Sequence, residues 1–179
     1  MHEPKGVSTA SANKVYVSNG SGSGSWQTLP AKLYAEIYID GGTTTQALAA
    51  ASAYESLNPT GEWAENIKSG LTTTPANGEI SLTANGVYLL EFWAVFDTAA
   101  IAAGSTYNFK FAINGSPISR LVSVKKTTAG IERKQVSTQV LLTATVGDIL
   151  SIYLGGDGTS SSTNITVLEA GLIAIKLAD

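Results

Sequence analysis

Residues that could perform acid–base or nucleophilic chemistry are scarce in this chain, which has one histidine, His2, and no cysteine. A Ser–His–Asp or Cys–His arrangement needs a histidine beside the nucleophile, so such a site would have to recruit His2. A metal centre built from histidine and cysteine is excluded by the same count. We therefore expect no catalytic residue, no metal and no cofactor, and we interpret His2 as an anchoring or solvated residue.

Carboxylates offer the remaining chemistry. Glu55, Glu62 and Glu65 could pair for glycoside cleavage, but they lie in a stretch of irregular pattern where surface charge is the simpler interpretation. Three aspartates at predicted strand ends could hold calcium: Asp97, Asp148 and Asp157. The segment GGDGTSSSTN lacks the dense carboxylates of an EF-hand loop, and aspartate is common in turns. The sequence therefore predicts turn-forming aspartates and a protein that is not an enzyme.

The overall charge narrows the range of partners. The net charge is −3 at pH 7 and the pI is about 5.1, which argues against bulk electrostatic binding of nucleic acid or an anionic membrane. No apolar run approaches the roughly 18 residues that span a bilayer. The only basic cluster contains Lys125, Lys126, Arg133 and Lys134. We expect that cluster to be the solvated tip of a hairpin, and we expect neither nucleic acid nor membrane as a partner.

Composition points instead to protein contacts. Charged residues are 14% of the chain and hydrophobic residues 44%, whereas soluble domains carry about 25% charged residues. A chain so poor in charge often buries part of its surface against partners. The alternative is an ordinary β-domain with a polar surface rich in Ser, Thr and Gly.

Residues 1–30 read as an arm rather than as part of a compact domain. The segment KVYVS alternates like one short strand, and the following SNGSGSGS has the composition of a flexible linker. We expect that stretch to be a docking strip that becomes ordered on binding. The few adhesive side chains of the arm are Val15, Tyr16, Val17 and Trp26.

From residue 31 to residue 179 the sequence predicts an all-β domain. About eight short segments alternate between apolar and polar residues and are separated by Gly, Asn, Asp and Ser turns, with almost no helical periodicity. AKLYAEIYID, EISLTANG, VYLLEFWAVFD, STYNFKFAING and ILSIYLGG are examples. This pattern is typical of a β-sandwich or jelly roll.

Two of these strands are apolar on both faces. In VYLLEFWAVF one face carries Tyr88, Phe92 and Phe96, and the other is apolar except at Glu91; the closing strand ITVLEAGLIAIKL behaves similarly. A half-buried strand needs only one apolar face, so the second must be covered. Identical subunits packed around an axis would cover it; the arm or a long loop is the alternative. The pattern leaves open which face is core and which is interface.

The order of these segments resembles a known family. NGEISLTANGVYLLEFWAVF, FAINGSPIS, VLLTATVGDILSIYLGG and ITVLEAGLIAIKL are similar, in order and spacing, to strands of the tumour-necrosis-factor and complement-type globular head domains. The resemblance covers residues 75–179, and residues 31–74 more weakly. It implies a trimeric jelly roll whose inner strands line the threefold axis. The residues expected at the trimer interface are Tyr88, Phe92, Phe96, Tyr153, Leu168 and Leu172.

The opening segment has a narrower resemblance. HEPKGV, a KVYV segment and a Gly/Ser stretch ending in Trp resemble the N-terminal arms of tailed-bacteriophage head-fibre and decoration proteins, which often carry such a jelly roll behind the arm. The resemblance implies that the arm binds the phage major capsid protein. The expected anchoring residues are His2, Pro4, Val15, Tyr16, Val17 and Trp26. Because no heptad or collagen-like repeat follows the arm, a long fibre shaft is not expected.

These observations predict a homotrimeric capsid decoration (cement or head-fibre) protein of a bacteriophage virion. It would be made in the host bacterial cytoplasm and sit on the outer capsid surface. The alternative is a trimeric tail fibre or tailspike component that binds a host surface glycan, with Tyr54, Trp63 and Tyr107 as a possible aromatic platform. A secreted complement-like module is a third possibility, against which the lack of a signal peptide counts.

Overall fold

The structure is a computed structural model, and it describes residues 12, 14–21, 23–29, 31–48, 53–99, 103–156 and 164–179. The chain divides into two compact units, Met1–Ala31 and Lys32–Asp179. No helix in the described ranges is both long and apolar enough to cross a membrane.

The first unit contains a β-hairpin. Strands β1 (Lys14–Ser18) and β2 (Gly24–Thr28) pair antiparallel, with Tyr16 opposite Trp26. The two rings meet edge to face with centroids 5.4 Å apart, a favourable aromatic geometry. The sequence pattern indicated the first strand, but β2 begins inside the Gly/Ser stretch. Gly24 is required there because a Cβ atom at this position would lie 2.2 Å from the carbonyl oxygen of Val17.

Asn19 closes the turn of this hairpin. Its Oδ1 accepts hydrogen bonds from the backbone N–H groups of Ser21 at 3.0 Å and Ser23 at 3.3 Å, and its Nδ2 donates to Ser23 Oγ at 2.7 Å. Asparagine side chains commonly replace backbone partners in turns in this way. The described residues of the Gly/Ser stretch therefore form a defined turn and the start of a strand.

The second unit is a two-layer β-sandwich. Its described residues form thirteen strands: β3 (Tyr34–Asp40), β4 (Thr45–Ala47), β5 (Tyr54–Ser56), β6 (Ala64–Ser69), β7 (Thr72–Thr74), β8 (Glu79–Ser81), β9 (Gly86–Thr98), β10 (Thr106–Ile113), β11 (Ser116–Pro117), β12 (Val122–Lys125), β13 (Arg133–Ala144), β14 (Ile149–Gly156) and β15 (Asn164–Ala178). One 3₁₀ turn, Pro75–Asn77, precedes β8.

The strands form two antiparallel sheets. The six-stranded sheet has the order β13-β9-β15-β3-β6, with β4 also paired to β15. The seven-stranded sheet has the order β11-β10-β14-β8-β7, with β12 on β10 and β5 on β14. Consecutive strands repeatedly enter different sheets, as expected for a jelly roll. The all-β sandwich expected from the sequence is confirmed.

Aromatic side chains join the two layers. Phe92 and Phe96 of β9 face Phe109 of β10, with ring centroids 5.6 and 5.3 Å apart, and Phe96 also lies 5.8 Å from Tyr107. Trp63 closes the core from a loop and donates from Nε1 to the carbonyl oxygen of Leu57 at 3.0 Å. The inward alternation expected for β10 is confirmed at Tyr107, Phe109 and Phe111.

A β-bulge in β15 reverses the alternation of its side chains. The pairing of β15 with β9 shifts between Val167 and Glu169, which leaves Leu168 as the extra residue. Before the bulge Val167 points into the core, and after it Leu172 does. A bulge changes strand parity in this way. Unbroken alternation along ITVLEAGLIAIKL would place Val167 and Ile173 on the same face, and the bulge instead leaves Val167 buried and Ile173 on the outer face.

The hairpin expected around the basic cluster is also absent among the described residues. Strand β12 pairs with β10 and β13 pairs with β9, so the two strands belong to different sheets. Lys126, expected at a solvated tip, is fully buried in the connection between them. Glu132 in the same connection accepts hydrogen bonds from Thr127 and Thr128.

Candidate functional site

The outer face of the six-stranded sheet, meaning the face turned away from the core, is the most distinctive surface of the second unit. The strand register arranges its side chains in rows across β13, β9, β15 and β3. The rows are Leu141–Leu89–Ile175–Tyr34, Gln139–Glu91–Ile173–Glu36, Ser137–Trp93–Gly171–Tyr38 and Gln135–Val95–Glu169–Asp40. A fifth row, Arg133–Asp97–Thr166–Thr45, lies at the end where β4 replaces β3.

One end of this face is apolar. In the first row Leu141 is exposed, and Leu89, Ile175 and Tyr34 are half-buried. Cross-strand neighbours of this kind pack against one another within a sheet, yet a two-layer domain gives them nothing to pack against from outside. A contiguous apolar patch rimmed by polar residues is a common sign of a protein contact.

Trp93 lies at the centre of the outer face. Its indole rests on the backbone of Gly171, because a Cβ atom built at Gly171 would lie 2.4 Å from Trp93 Nε1 and 2.8 Å from Cε2. Trp93 remains 38% exposed, and Tyr38 follows Gly171 in the same row. Because Gly171 has no side chain, the Trp93 indole approaches the sheet backbone closely at this position.

Carboxylates flank this aromatic centre. Glu91 and Glu36 are the cross-strand neighbours of Ile173. Glu36 Oε2 accepts a hydrogen bond from Asn66 Nδ2 at 2.6 Å. A depression of about 480 Å³ lies beside Trp93 and is lined by Glu36, Tyr38, Ile39, Asp40, Asn66, Trp93 and Glu169. The centre of the face thus combines aromatic surface with acidic groups at its border.

The opposite end of the face is polar. Arg133 donates from Nε to Asp97 Oδ1 at 3.0 Å and from a terminal nitrogen to Oδ2 at 3.1 Å. This bidentate pairing, with Glu169 nearby, raises the pKa of Arg133 further above its ordinary range. The hydroxyls of Thr45 and Thr166 lie 3.0 Å apart across neighbouring strands. The outer face therefore passes from apolar to polar along the strands.

The structure corrects most of the expected trimer-interface residues. Tyr88, Phe92, Phe96 and Leu172 are 0–1% exposed in the single chain, so they have no surface to offer another subunit and belong to the core. Rings of the second sheet lie against Phe92 and Phe96, and all four residues belong to the buried core. Burial also raises the pKa of the Tyr88 hydroxyl, which donates to the carbonyl oxygen of Ala84 at 2.9 Å.

The other two expected interface residues do not share one surface. Tyr153 lies on β14 in the seven-stranded sheet and is half-buried. Leu168 is the extra residue of the β15 bulge and is half-buried beside Gly42, whose N–H donates to the Leu168 carbonyl at 2.8 Å. The six residues therefore do not form a single interface.

The expected anchoring residues of the arm are only partly described. His2 and Pro4 lie outside the described residues. Tyr16 and Trp26 contact each other on one face of the hairpin, whereas Val15 and Val17 are exposed. The hairpin thus carries an aromatic pair on one face and two valines on the other.

The carboxylates considered for catalysis are engaged separately. Glu62 Oε1 accepts from the backbone N–H groups of Thr43 at 2.7 Å and Thr44 at 2.5 Å. Hydrogen bonds from Lys68 and then Thr73 lower the pKa of Glu65. Within the described ranges, no three His, Cys, Asp or Glu side chains are grouped so that they could hold a metal ion.

The other loop residues have structural roles as well. Asp148 Oδ2 accepts from the Thr145 N–H at 2.8 Å, as expected of a turn aspartate, whereas Asp157 lies outside the described residues. Among the possible platform aromatics, Trp63 and Tyr107 are buried in the core. Tyr54 is half-buried with Lys110 Nζ 4.4 Å from its ring centroid. These three rings therefore form no common platform.

The residues that sequence reasoning missed are those of the outer face, above all Trp93 and its partner Gly171. The usable signal was Glu91. It is the single charged residue within VYLLEFWAVF, and a charged side chain is very rarely buried without a partner. The parity of Glu91 therefore indicates which side of β9 faces outward, and Trp93 shares that parity.

Comparisons with known proteins agree with this architecture. No protein-family model matches the chain, and no curated protein matches it either. Among solved structures, an Eiger tumour necrosis factor from S. frugiperda is similar at a TM-score of 0.56 and 12% identity, over 84% of this chain and 95% of that one. The globular domain of zebrafish complement 1qA is similar at a TM-score of 0.57 and 11% identity, over 83% of this chain and 100% of that one. The second unit therefore has the jelly-roll fold of tumour-necrosis-factor and complement globular domains.

Proposed function

We propose that this protein is a structural component of a bacteriophage virion: a homotrimeric capsid decoration protein, of cement or head-fibre type. Its N-terminal arm binds the major capsid protein on the outer surface of the head, and its jelly roll forms the trimer. The role is mechanical and involves no catalysis. Trimers anchored at neighbouring capsomers stabilise the head against internal genome pressure.

The observation that supports a trimer is the partly exposed apolar surface on the outer face of the six-stranded sheet. Trp93, Leu89 and Ile175 lie there partly exposed in the single chain, although large apolar side chains gain about 1.5–3 kcal/mol each when fully buried. Packing three copies around an axis covers this face in each subunit with one repeated contact. The jelly-roll fold shared with the two solved domains is compatible with that arrangement.

The anchoring role rests on the first unit. The hairpin is a compact unit distinct from the sandwich, and it exposes Val15 and Val17. Its sequence is similar to the arms of phage head proteins. Residues 29–33 separate β2 from β3, so no long fibre shaft lies between the two units.

The first experiment counts copies of the protein per virion by quantitative mass spectrometry of purified particles. Hundreds of copies are expected for a decoration protein, because it occupies repeated sites on the shell. A handful of copies would overturn the proposal and favour a tail component. Light scattering of the purified chain should give three times its 18.5 kDa mass.

A deletion of the first unit tests whether that unit is the anchor. Removing residues 1–31 should leave a folded trimer that no longer binds particles from which the protein has been stripped. The control is the full-length chain on the same particles. Full occupancy by the deleted protein would show that the arm is not the anchor.

A second candidate is a trimeric tail fibre or tailspike component that binds a host surface glycan. A pocket of about 320 Å³ at the Asp97 end of the six-stranded sheet favours it, because Thr45, Asn164 and Thr166 are among its lining residues and a glycan needs hydroxyl and amide partners. A low copy number and binding to host cells would support this candidate over decoration.

A further inference from the structure

Two carboxylates lie directly opposite each other on the outer face of the six-stranded sheet. Glu169 of β15 and Asp40 of β3 are cross-strand partners, and both residues are exposed. Like charges that face each other across neighbouring strands destabilise a sheet. A cation held beside both groups would remove that cost. We call them the Asp40–Glu169 pair.

The second unit provides no base that forms an ion pair with either carboxylate. In its described residues, no Lys or Arg nitrogen lies within 4.0 Å of Asp40 or Glu169. The rest of this unit, residues 49–52, 100–102 and 157–163, contains no Lys, Arg or His. A base that binds the Asp40–Glu169 pair must therefore come from outside this unit.

The surroundings of the pair favour a guanidinium group as the cation. Both carboxylates border the depression beside Trp93, and Tyr38 and Glu36 line it as well. A guanidinium stacks on aromatic rings and pairs with carboxylates through a planar fork of N–H groups. In the described ranges, no three acidic, His or Cys side chains are grouped to hold a metal ion instead. The depression therefore suits an arginine side chain.

Arg133 is an exposed arginine that can make further hydrogen bonds. Asp97 of the same chain accepts from its Nε at 3.0 Å and from one terminal nitrogen at 3.1 Å. These bonds use two of the five N–H groups of a guanidinium, and the guanidinium makes no further hydrogen bond to the described residues. The Arg133 side chain is 64% exposed. Asp97 therefore fixes the orientation of the guanidinium while three N–H groups remain able to donate.

Arg133 and the Asp40–Glu169 pair lie on opposite sides of the outer face, in adjacent rows. Arg133 belongs to the edge strand β13 and Asp40 to β3, with β9 and β15 between them. Three strand spacings, about 14 Å in total, therefore separate the two strands within one chain. Rotation about a threefold axis keeps every residue at its height along that axis. If the strands run along the axis, neighbouring copies bring adjacent rows, and hence these two groups, to a similar level.

We propose that Arg133 of one subunit donates to Asp40 of the partner subunit in the proposed trimer, with the guanidinium beside the partner subunit's Trp93. Each subunit then gives an arginine on one side of its outer face and receives one on the other side, a heterologous contact that closes into a ring. The contact removes the charge conflict of the Asp40–Glu169 pair and fixes which surfaces of neighbouring subunits meet. This inference rests on the proposed trimer and adds the residues that join its subunits.

Cross-linking of full-length chains tests this proximity, because the chain contains no cysteine. Asp40→Cys and Arg133→Cys chains are co-expressed, so that a short bismaleimide can join the two positions only between different copies. The control mixture pairs Arg133→Cys with Glu91→Cys, which lies on the same face three rows away. Covalent dimers should be at least fivefold more abundant in the first mixture.

The outcome separates this inference from the trimer itself. Equal yields from the two mixtures, in protein that sedimentation equilibrium shows to be trimeric, would overturn the Arg133–Asp40 contact alone. A full-length chain that sediments as a monomer would contradict the contact and the proposed trimer together.

A double-mutant cycle tests the ion pair. Asp40→Asn and Arg133→Gln should each raise the concentration at which the trimer dissociates by about fivefold. The double variant should weaken the trimer no further, because either change removes the same contact. Glu91→Gln and Arg133→Gln should instead act independently, and salt at about 1 M should abolish the effect of Asp40→Asn.

Two results would contradict the proposed pair. One is independent effects of Asp40→Asn and Arg133→Gln. The other is a tighter trimer in Asp40→Asn, which is expected if the change only relieves the repulsion from Glu169. The copy-number and deletion results would stand unaffected in either case.

Discussion

At the scale of single residues, Phe92 and Trp93 show how neighbouring aromatic residues can have opposite roles. Phe92 is in the core, 5.6 Å from the ring of Phe109, whereas Trp93 lies on the outer face above Gly171. Alternation along a strand separates them. Substitution of Phe92 should therefore affect unfolding, whereas substitution of Trp93 should affect association of subunits.

Trp93→Ala should weaken the proposed trimer and leave the folding of each subunit nearly unchanged. Central aromatic residues often contribute 2 kcal/mol or more to an interface, so trimer dissociation should shift by at least that amount. Phe92→Ala is the matched control and should lower the free energy of unfolding by about 3–5 kcal/mol. Sedimentation equilibrium and chemical denaturation measure the two effects. A Trp93→Ala protein that remains fully trimeric at low concentration would contradict the interface.

Gly171→Ala tests the contact from the other side. The added methyl group would overlap Trp93 Nε1, so the indole must move off the sheet. Overpacking typically costs about 1–3 kcal/mol, and we expect the low end because the ring is partly exposed. Denaturation gives the stability change and tryptophan fluorescence the ring displacement. Ser137→Ala in the same row is the control; an unmoved indole in Gly171→Ala would refute the close contact.

Asp148 should make the stability depend on acid pH. Hydrogen bonds, first from the Thr145 N–H and then from Asn114, lower its pKa from the ordinary value of 3.8. The folded state therefore binds this proton less readily than the unfolded state, so the stabilisation is present above pH 3.8 and is lost as the pH falls through the lower folded value.

Asp148→Asn should accordingly flatten the acid limb of a plot of unfolding free energy against pH. The difference should be about 0.5 kcal/mol, since solvent screens this turn. Thr145→Val removes the hydroxyl donor and keeps the backbone N–H, so it should give an intermediate slope. Identical slopes in all three proteins would contradict this role.

At the scale of elements, alternation and turn residues predicted the strands well. The inward residues of β3, β8 and β10 could be read from the alternation of apolar and polar residues. In a strand with one buried face, every second residue is apolar and points into the core. Three features could not be predicted. The bulge at Leu168 has no distinct residue signature, the pairing of β12 with β10 depends on long-range contacts, and β2 lies in a Gly/Ser composition that also suits a linker.

The candidate site was predicted only in outline. The doubly apolar strands correctly indicated an unusual outer surface, but the larger aromatic residues Tyr88, Phe92 and Phe96 were expected on it. Both faces of β9 are apolar, so hydrophobicity alone could not assign them. The inward face of β9 is set by the opposite sheet, because Phe109 and Tyr107 pack against the side of β9 that carries Phe92 and Phe96.

Deleting Leu168 should prevent folding. Without the extra residue, the parity of β15 would no longer match β9, so either Val167 or the Ala170–Leu172–Ala174 set would turn away from the core. Leu168→Ala keeps the bulge and should fold with a loss of about 1–2 kcal/mol. Circular dichroism and denaturation distinguish the two proteins. A stable deletion variant would show that the bulge does not set the register.

At the scale of the whole molecule, the chain has few charged residues, and their positions on the outer face bear on the proposed trimer. Arg133, Asp97 and Glu169 lie toward one end of the outer face, Glu91 and Glu36 lie beside its centre, and the opposite end carries the apolar row Leu141–Leu89–Ile175–Tyr34. In a trimer built on this face, the aliphatic end would be sealed while the charged end stays hydrated.

If the proposed function holds, the turn at Asn19 would affect how long an anchored trimer stays bound. Ordering a flexible segment costs about 1–2 kcal/mol per residue, and every 1.4 kcal/mol changes a dissociation constant tenfold. Because Asn19 and Ser23 hold the turn within the hairpin itself, that cost falls on folding of the chain rather than on docking. A preorganised hairpin does not lose binding free energy to ordering this segment, so its proposed complex with the shell would be more stable than that of an arm with the same contacts that orders only on binding.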